Sequence, residues 1–142
     1  MRSGKYLIIH VDDSPTVREI VKETLVQAGY IVRSADDAQD LERKLSTDPA
    51  LRDAVDLFIL DMEMPDMTGA QIGAVMQEVY NELSRVPFII YSGKERDWIE
   101  ERTKEVAGMS KSFLRNYSGY LAKKPGSEEF LVELVQSVLA KK

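Results

Sequence analysis

The sequence predicts an α/β domain in which helices flank a doubly wound, five-stranded parallel sheet on both faces. Three observations predict it. Short apolar runs alternate with helix-periodic segments along the chain, five times over. The runs are apolar on both faces, as strands are when helices cover a parallel sheet from two sides. The 142 residues, 44% hydrophobic and 30% charged, suit one ordinary globular domain spanning 1–142.

Tyr6-Leu7-Ile8-Ile9-His10-Val11 is the first strand-like run and stops at Asp12-Asp13. Val17, Ile20, Val21, Thr24, Leu25 and Ala28 then line one helical face, with Ser14 placed to cap it, Pro15 at its first position and Gly29 at its end. Tyr30-Ile31-Val32-Arg33 is the second strand, and a weaker helix over about 37–46 rests on Leu41 and Leu45. The third strand, Val55 to Leu60, ends at Asp61 and runs into the loop Met64-Pro65-Asp66-Met67-Thr68-Gly69, which contains two breakers. Ile72, Val75, Met76, Val79 and Leu83 trace the next helix, and Pro87-Phe88-Ile89-Ile90-Tyr91 the fourth strand, ending at Ser92-Gly93.

The segment that follows is long. It reads as a helix from Glu95 to about Val106, an interruption at Gly108 and a further turn or two over 110–116. Its charges and Trp98, Phe113 and Tyr117 look like an exposed, partner-facing mix. Tyr120-Leu121-Ala122 begins the fifth strand, which ends at Lys123-Lys124-Pro125. Ser127 is placed to cap a last helix with Phe130, Leu131, Leu134, Val135 and Val138 inward.

Composition narrows the chemistry. The chain has no cysteine and one histidine, which excludes disulfides, thiolate chemistry and multi-histidine metal cages. A net charge of −5 argues against a basic nucleic-acid surface, so direct DNA binding is not expected. No stretch approaches the roughly 20 apolar residues that span a bilayer. The N-terminal segment 1–5 lacks the apolar core of a signal peptide. The expected location is cytoplasmic, without membrane insertion.

In a doubly wound sheet, ligands collect at the carboxyl ends of the strands. Those ends carry Asp12 and Asp13, then Asp61, Ser92 and the pair Lys123-Lys124. Singly, each has an ordinary reading as a cap, a turn residue or solvated charge. Together they place three carboxylates where they repel unless a cation joins them. An all-oxygen cluster suits Mg²⁺, which shares its shell with phosphate. A lysine supplies fixed positive charge for a phosphoryl oxygen, a serine supplies a donor, and a carboxylate can act as nucleophile. These are the parts for in-line phosphoryl transfer. His10, inside a strand, is expected to be packed or hydrogen-bonded. No P-loop, dinucleotide fingerprint or nucleophile elbow occurs.

With these residues the chain resembles the receiver domain of two-component response regulators. Leu60-Asp61-Met62-Glu63-Met64-Pro65-Asp66-Met67-Thr68-Gly69 fits the family's L-D-x-x-M-P-x-x-x-G loop, Asp12-Asp13 its acidic pair, Ser92 its Thr/Ser after strand four and Lys124-Pro125 its Lys-Pro step. The resemblance implies a flavodoxin-like sheet of receiver type, here with an extended segment between strands four and five. It implies that Asp61 accepts a phosphoryl group from a histidine kinase or phosphotransfer protein. Asp13 would bind Mg²⁺ directly, Asp12 mainly through water, and Asp61 and the backbone carbonyl of Glu63 would complete the protein ligands. Ser92 and Lys124 would meet the phosphoryl group.

The lysine register is the weak point. The family's aromatic switch residue stands three before the lysine, and Tyr120 has that spacing to Lys123. Pro125, Ser127 and Leu131 are instead spaced for Lys124, which the expectation takes, with a one-residue bulge upstream and a candidate cis Lys124–Pro125 bond. The expected function is a stand-alone, phosphorylation-activated signalling switch of a phosphorelay, acting through contact with a downstream protein. It would catalyse at most its own phosphorylation and dephosphorylation, and homodimerisation is left open. The alternatives are a receiver-like interaction module that is never phosphorylated and a Mg²⁺-dependent aspartyl-phosphate phosphatase.

Overall fold

A computed structural model describes residues 5–141; 1–4, which hold most of the segment weighed as a signal peptide, and 142 lie outside the described residues. The strands β1 (Leu7–Val11), β2 (Ile31–Ala35), β3 (Val55–Leu60), β4 (Phe88–Ser92) and β5 (Tyr117–Ala122) form one parallel sheet in the order β2-β1-β3-β4-β5. Period-two alternation divides the core. Leu7, Ile9, Val11, Phe58, Leu60, Phe88 and Ile90 face the helices α2 (Ala38–Thr47), α3 (Pro49–Ala54), α4 (Gly69–Val79), α5 (Arg96–Ala107) and α6 (Lys111–Asn116). Ile8, Leu57, Ile59, Ile89 and Tyr91 face α1 (Pro15–Gln27) and α7 (Glu128–Leu139). Among the described residues no helix is long and apolar enough to cross a membrane.

The caps follow the local sequence. Ser14 Oγ accepts the Val17 amide at 3.3 Å, Pro15 opens α1, and Gly29 continues past its end at φ +101°. Asp37 caps α2, while Asp66 reaches across from the loop after β3 to accept the Ala38 and Gln39 amides at 3.4 and 3.2 Å. Thr68 and Gln71 form a capping box at the start of α4. The short α3 was not expected, although Asp48-Pro49 carries its signal: Asp48 accepts the Leu51 amide and Pro49 is the first helical residue. Asp56 is a buried acid at the amino ends of the strands, opposite the carboxyl ends that carry the other acids. Its Oδ2 accepts the Leu7 amide at 2.8 Å, where the β1–β3 register slips.

Three expectations near β5 are corrected. The strand begins at Tyr117, before Tyr120. Its irregularity lies upstream of Tyr120: Phe88 pairs with Tyr117 and Ile90 with Tyr120, so the extra residue falls around Gly119, whose φ of +140° favours glycine. No peptide bond among the described residues is cis, Lys124–Pro125 included.

The long β4–β5 connection is two helices, α5 and α6, divided at Gly108. Phe113 was expected on the surface and is instead fully buried. Its ring centroid lies 5.3 Å from those of both Phe88 and Tyr117. Asn116 and Arg115 donate to the Ser84 carbonyl at 2.8 and 3.0 Å, tying α6 to the turn before β4. The large apolar side chains this connection leaves in solvent are Met109 and Leu114, at 79% and 68% exposure.

Candidate functional site

Asp12 follows β1 directly, and its backbone still belongs to the sheet: its amide donates to the Ala35 carbonyl at 3.1 Å. The side chain is fully buried. Oδ1 accepts the Ser14 amide at 2.9 Å, and Oδ2 lies 2.6 Å from Lys123 Nζ. Asp13 is exposed at the rim. Asp61 follows β3, with its amide donating to the Val11 carbonyl at 3.1 Å, which seats it beside Asp12. Its Oδ1 accepts the Glu63 amide at 3.2 Å, and Oδ2 is 3.4 Å from Lys123 Nζ. Gly69 is required here, since a Cβ at this position would stand 2.5 Å from the Asp61 carbonyl oxygen. Ser92 is buried at the end of β4, where its Oγ accepts the Lys94 amide at 3.2 Å.

The structure therefore brings Asp12, Asp61 and Lys123 together and leaves Lys124 outside. The Lys123 amide donates to the Ser92 carbonyl at 2.9 Å, extending the β4–β5 ladder by one step. Lys124 is exposed and spent on the turn into α7: its amide donates to Ser127 Oγ at 3.2 Å and its carbonyl accepts the Ser127 amide at 2.9 Å. Lys124 thus stands as an additional residue between Lys123 and Pro125, separate from the irregularity around Gly119. Ser127 occupies the cap position of α7 without capping it; its hydroxyl instead bonds the Tyr91 hydroxyl at 2.7 Å. Tyr91, which the sequence reading passed over, also lies beneath Lys123, whose Nζ is 5.9 Å from the ring centroid. Tyr120 has the three-residue spacing to Lys123, and its hydroxyl donates to the Lys94 carbonyl at 2.9 Å.

The electrostatics follow from burial beside opposite charges. Burial pushes the Asp61 carboxyl up to about 6; Lys123 pulls it back and the Asp12 carboxylate raises it. Burial opposes the charge of Lys123, yet Asp12 and Asp61 hold its pKa above that of an ordinary lysine. His10 is pushed down to about 3, by burial first and then by Lys123 and Arg18, so its ring is neutral.

Oxygen atoms of Asp12, Asp13 and Asp61 lie within 4.8 Å of one another. The donors are hard and anionic, and an all-oxygen set of this kind fits Mg²⁺ better than a transition metal.

A model of the response regulator receiver domain matches residues 8–135. The chain belongs to this family. Receiver domains of two-component signalling are generally non-enzymatic signalling modules that interact with histidine kinases or phosphotransfer proteins, and they typically bind Mg²⁺ at an acidic pocket. This receiver domain is 25% identical to chemotaxis protein CheY4 of Vibrio cholerae, with a TM-score of 0.75 over 95% of this chain and 99% of that one. Its fold also matches the response regulator TrrA of Thermotoga maritima in complex with Mg²⁺-BeF, at 21% identity and a TM-score of 0.68 over 92% and 97% of the two chains. Among curated proteins it is 29% identical over 89% of its length to the uncharacterized transcriptional regulatory protein YrkP of Bacillus subtilis, and 26% identical over 80% to the sensor histidine kinase CheAY of Helicobacter pylori. The receiver domain spans only 57% and 14% of those two relatives, and 12% of a third, the autoinducer sensor kinase/phosphatase CqsS of Vibrio cholerae.

Proposed function

We propose that this receiver domain is a phosphorylation-activated switch of a phosphorelay. In this reading a carboxylate oxygen of Asp61 attacks the phosphorus of a phosphohistidine on a histidine kinase or phosphotransfer protein. The new O–P bond forms as the P–N bond breaks, and the imidazole leaves. The observation that carries the reading is Lys123 Nζ, set between two buried carboxylates at 2.6 and 3.4 Å. It is a fixed positive charge beside the proposed nucleophile, placed to pair with a phosphoryl oxygen.

The other residues divide the work. Asp12 commits its oxygens to Ser14 and Lys123, so it meets a cation mainly through water. Exposed Asp13 supplies a direct ligand, and Asp61 and the Glu63 carbonyl complete the protein's share. Bound there, Mg²⁺ would neutralise charge on the transferring phosphoryl group. Ser92 turns its hydroxyl from the Lys94 amide to the phosphoryl group. That movement reaches the Lys94 carbonyl held by Tyr120, which makes Tyr120 the switch aromatic and protein contact the output.

Acetyl phosphate with Mg²⁺ tests the reading. Intact mass should show one base-labile, hydroxylamine-sensitive phosphoryl group on the wild type and none on Asp61→Asn, which keeps side-chain size but not nucleophilic charge. Undiminished labelling of Asp61→Asn overturns it.

A further inference from the structure

His10 is the chain's one histidine, and the phosphotransfer scheme above does not use it. It sits on β1 between Ser34 of β2 and Ile59 of β3, at 1% exposure. Its Nδ1 is buried without a hydrogen-bond partner, an expensive arrangement that a leucine would avoid. Its Nε2 lies 3.8 Å from Asp12 Oδ2, the same oxygen that Lys123 holds at 2.6 Å. A neutral ring carries one N–H. The tautomer with the proton on Nε2 turns a donor toward the carboxylate; the other turns a lone pair against it. The separation is about 1 Å beyond a hydrogen bond.

We infer that His10 is a positioning residue that takes over Asp12 Oδ2 when Lys123 moves to the phosphoryl group. The inference rests on Asp61 being the acceptor. Phosphorylation converts Asp61 to an acyl phosphate and places the new charge on the phosphoryl oxygens, which draw Lys123. Asp12 Oδ2 then loses its direct ion pair while remaining buried, and a cation that Asp12 meets through water replaces that contact only in part. Protonated Nε2, 3.8 Å from that oxygen at rest, closes the remaining distance. His10 thereby frees the lysine from Asp12 for the phosphoryl group, and it stabilises the phosphorylated arrangement more than the resting one.

Long-range ¹H–¹⁵N correlation on the wild type tests this directly, because one histidine gives one imidazole. The expected result is an Nε2-protonated neutral ring. On addition of Mg²⁺ and beryllofluoride its N–H proton should move downfield and exchange more slowly with water. An Nδ1-protonated ring, or an Nε2 proton unmoved while the Glu63 and Ser92 amides shift, overturns the role of His10 alone. No shift at Glu63 and Ser92 overturns the acceptor reading and this one with it. Two variants add a second readout. His10→Leu should weaken beryllofluoride binding about tenfold, the worth of one hydrogen bond to a charged group. His10→Gln, which keeps an N–H at similar reach, should restore most of that affinity. Equal affinity in His10→Leu and the wild type contradicts the inference.

Discussion

Replacing the two adjacent lysines separately should give a large loss in one case and almost none in the other. At an effective dielectric of about 20, the contacts of Lys123 Nζ at 2.6 and 3.4 Å correspond to about 6 and about 5 kcal/mol of gross attraction. Most of this offsets the cost of burying the three charges. What a bound phosphoryl analogue gains is one charge-assisted bond, worth about 1.5–3 kcal/mol net. Lys123→Ala should therefore weaken Mg²⁺-beryllofluoride binding about 10- to 100-fold in calorimetric titration. Lys124 is exposed, and its backbone, not its ammonium, makes the turn into α7. Lys124→Ala should change the affinity by less than about twofold. Comparable losses in the two variants, or a loss confined to Lys124→Ala, would refute the assignment of the site lysine.

Two further outcomes are expected. Asp13→Ala should weaken Mg²⁺ binding far more than Ser92→Ala, because a hard anionic oxygen ligates directly while the hydroxyl meets only the phosphoryl group; equal affinities by titration would contradict these roles. Mg²⁺ affinity should also fall as pH drops through about 6, where Asp61 takes up a proton. Without metal the sign for stability is opposite. The folded state binds the Asp61 proton more tightly than an unfolded carboxylate does, so this group's contribution declines as pH rises from about 4 to about 6. Phe113→Ala should cost about 3–5 kcal/mol in denaturant unfolding and Leu114→Ala less than about 0.5, since one ring is fully buried and its neighbour is exposed. A cost below about 1 kcal/mol for Phe113→Ala would make α6 a loose appendage.

The strands and most helices were legible because each is long enough to show its period, and because Ser14-Pro15 announces its helix by chemistry. The acidic half of the site was legible for a related reason: Asp12, Asp13 and Asp61 each follow an apolar strand with no ambiguity of register. The lysine was not. Counting back from Pro125 assumes a turn of fixed length, and the chain spends one extra residue there. Gly119 was the available hint that the bulge belonged before Tyr120. Phe113 was misplaced because a six-residue helix buries only Phe113 and Asn116, too few to display an amphipathic face. His10 shows nothing in one dimension, since its meaning depends on a carboxylate whose oxygen turns back toward it.

The Phe88–Phe113–Tyr117 stack stands at the amino ends of β4 and β5, whereas Ser92 and Lys123 mark their carboxyl ends. Four residues of extended chain, roughly 13 Å, separate Phe88 from Ser92 along β4. The packing of α6 thus lies at the opposite end of the sheet from Asp61, which leaves the mouth clear for the proposed phosphohistidine donor. The same geometry makes β4 a push-rod. Its head is the Ser92 hydroxyl, which the proposed switch would turn, and its foot is packed among aromatic rings, one of them on α6. With that foot anchored, the proposed movement of Ser92 would be taken up at the mouth end, by Gly93 and the first turn of α5.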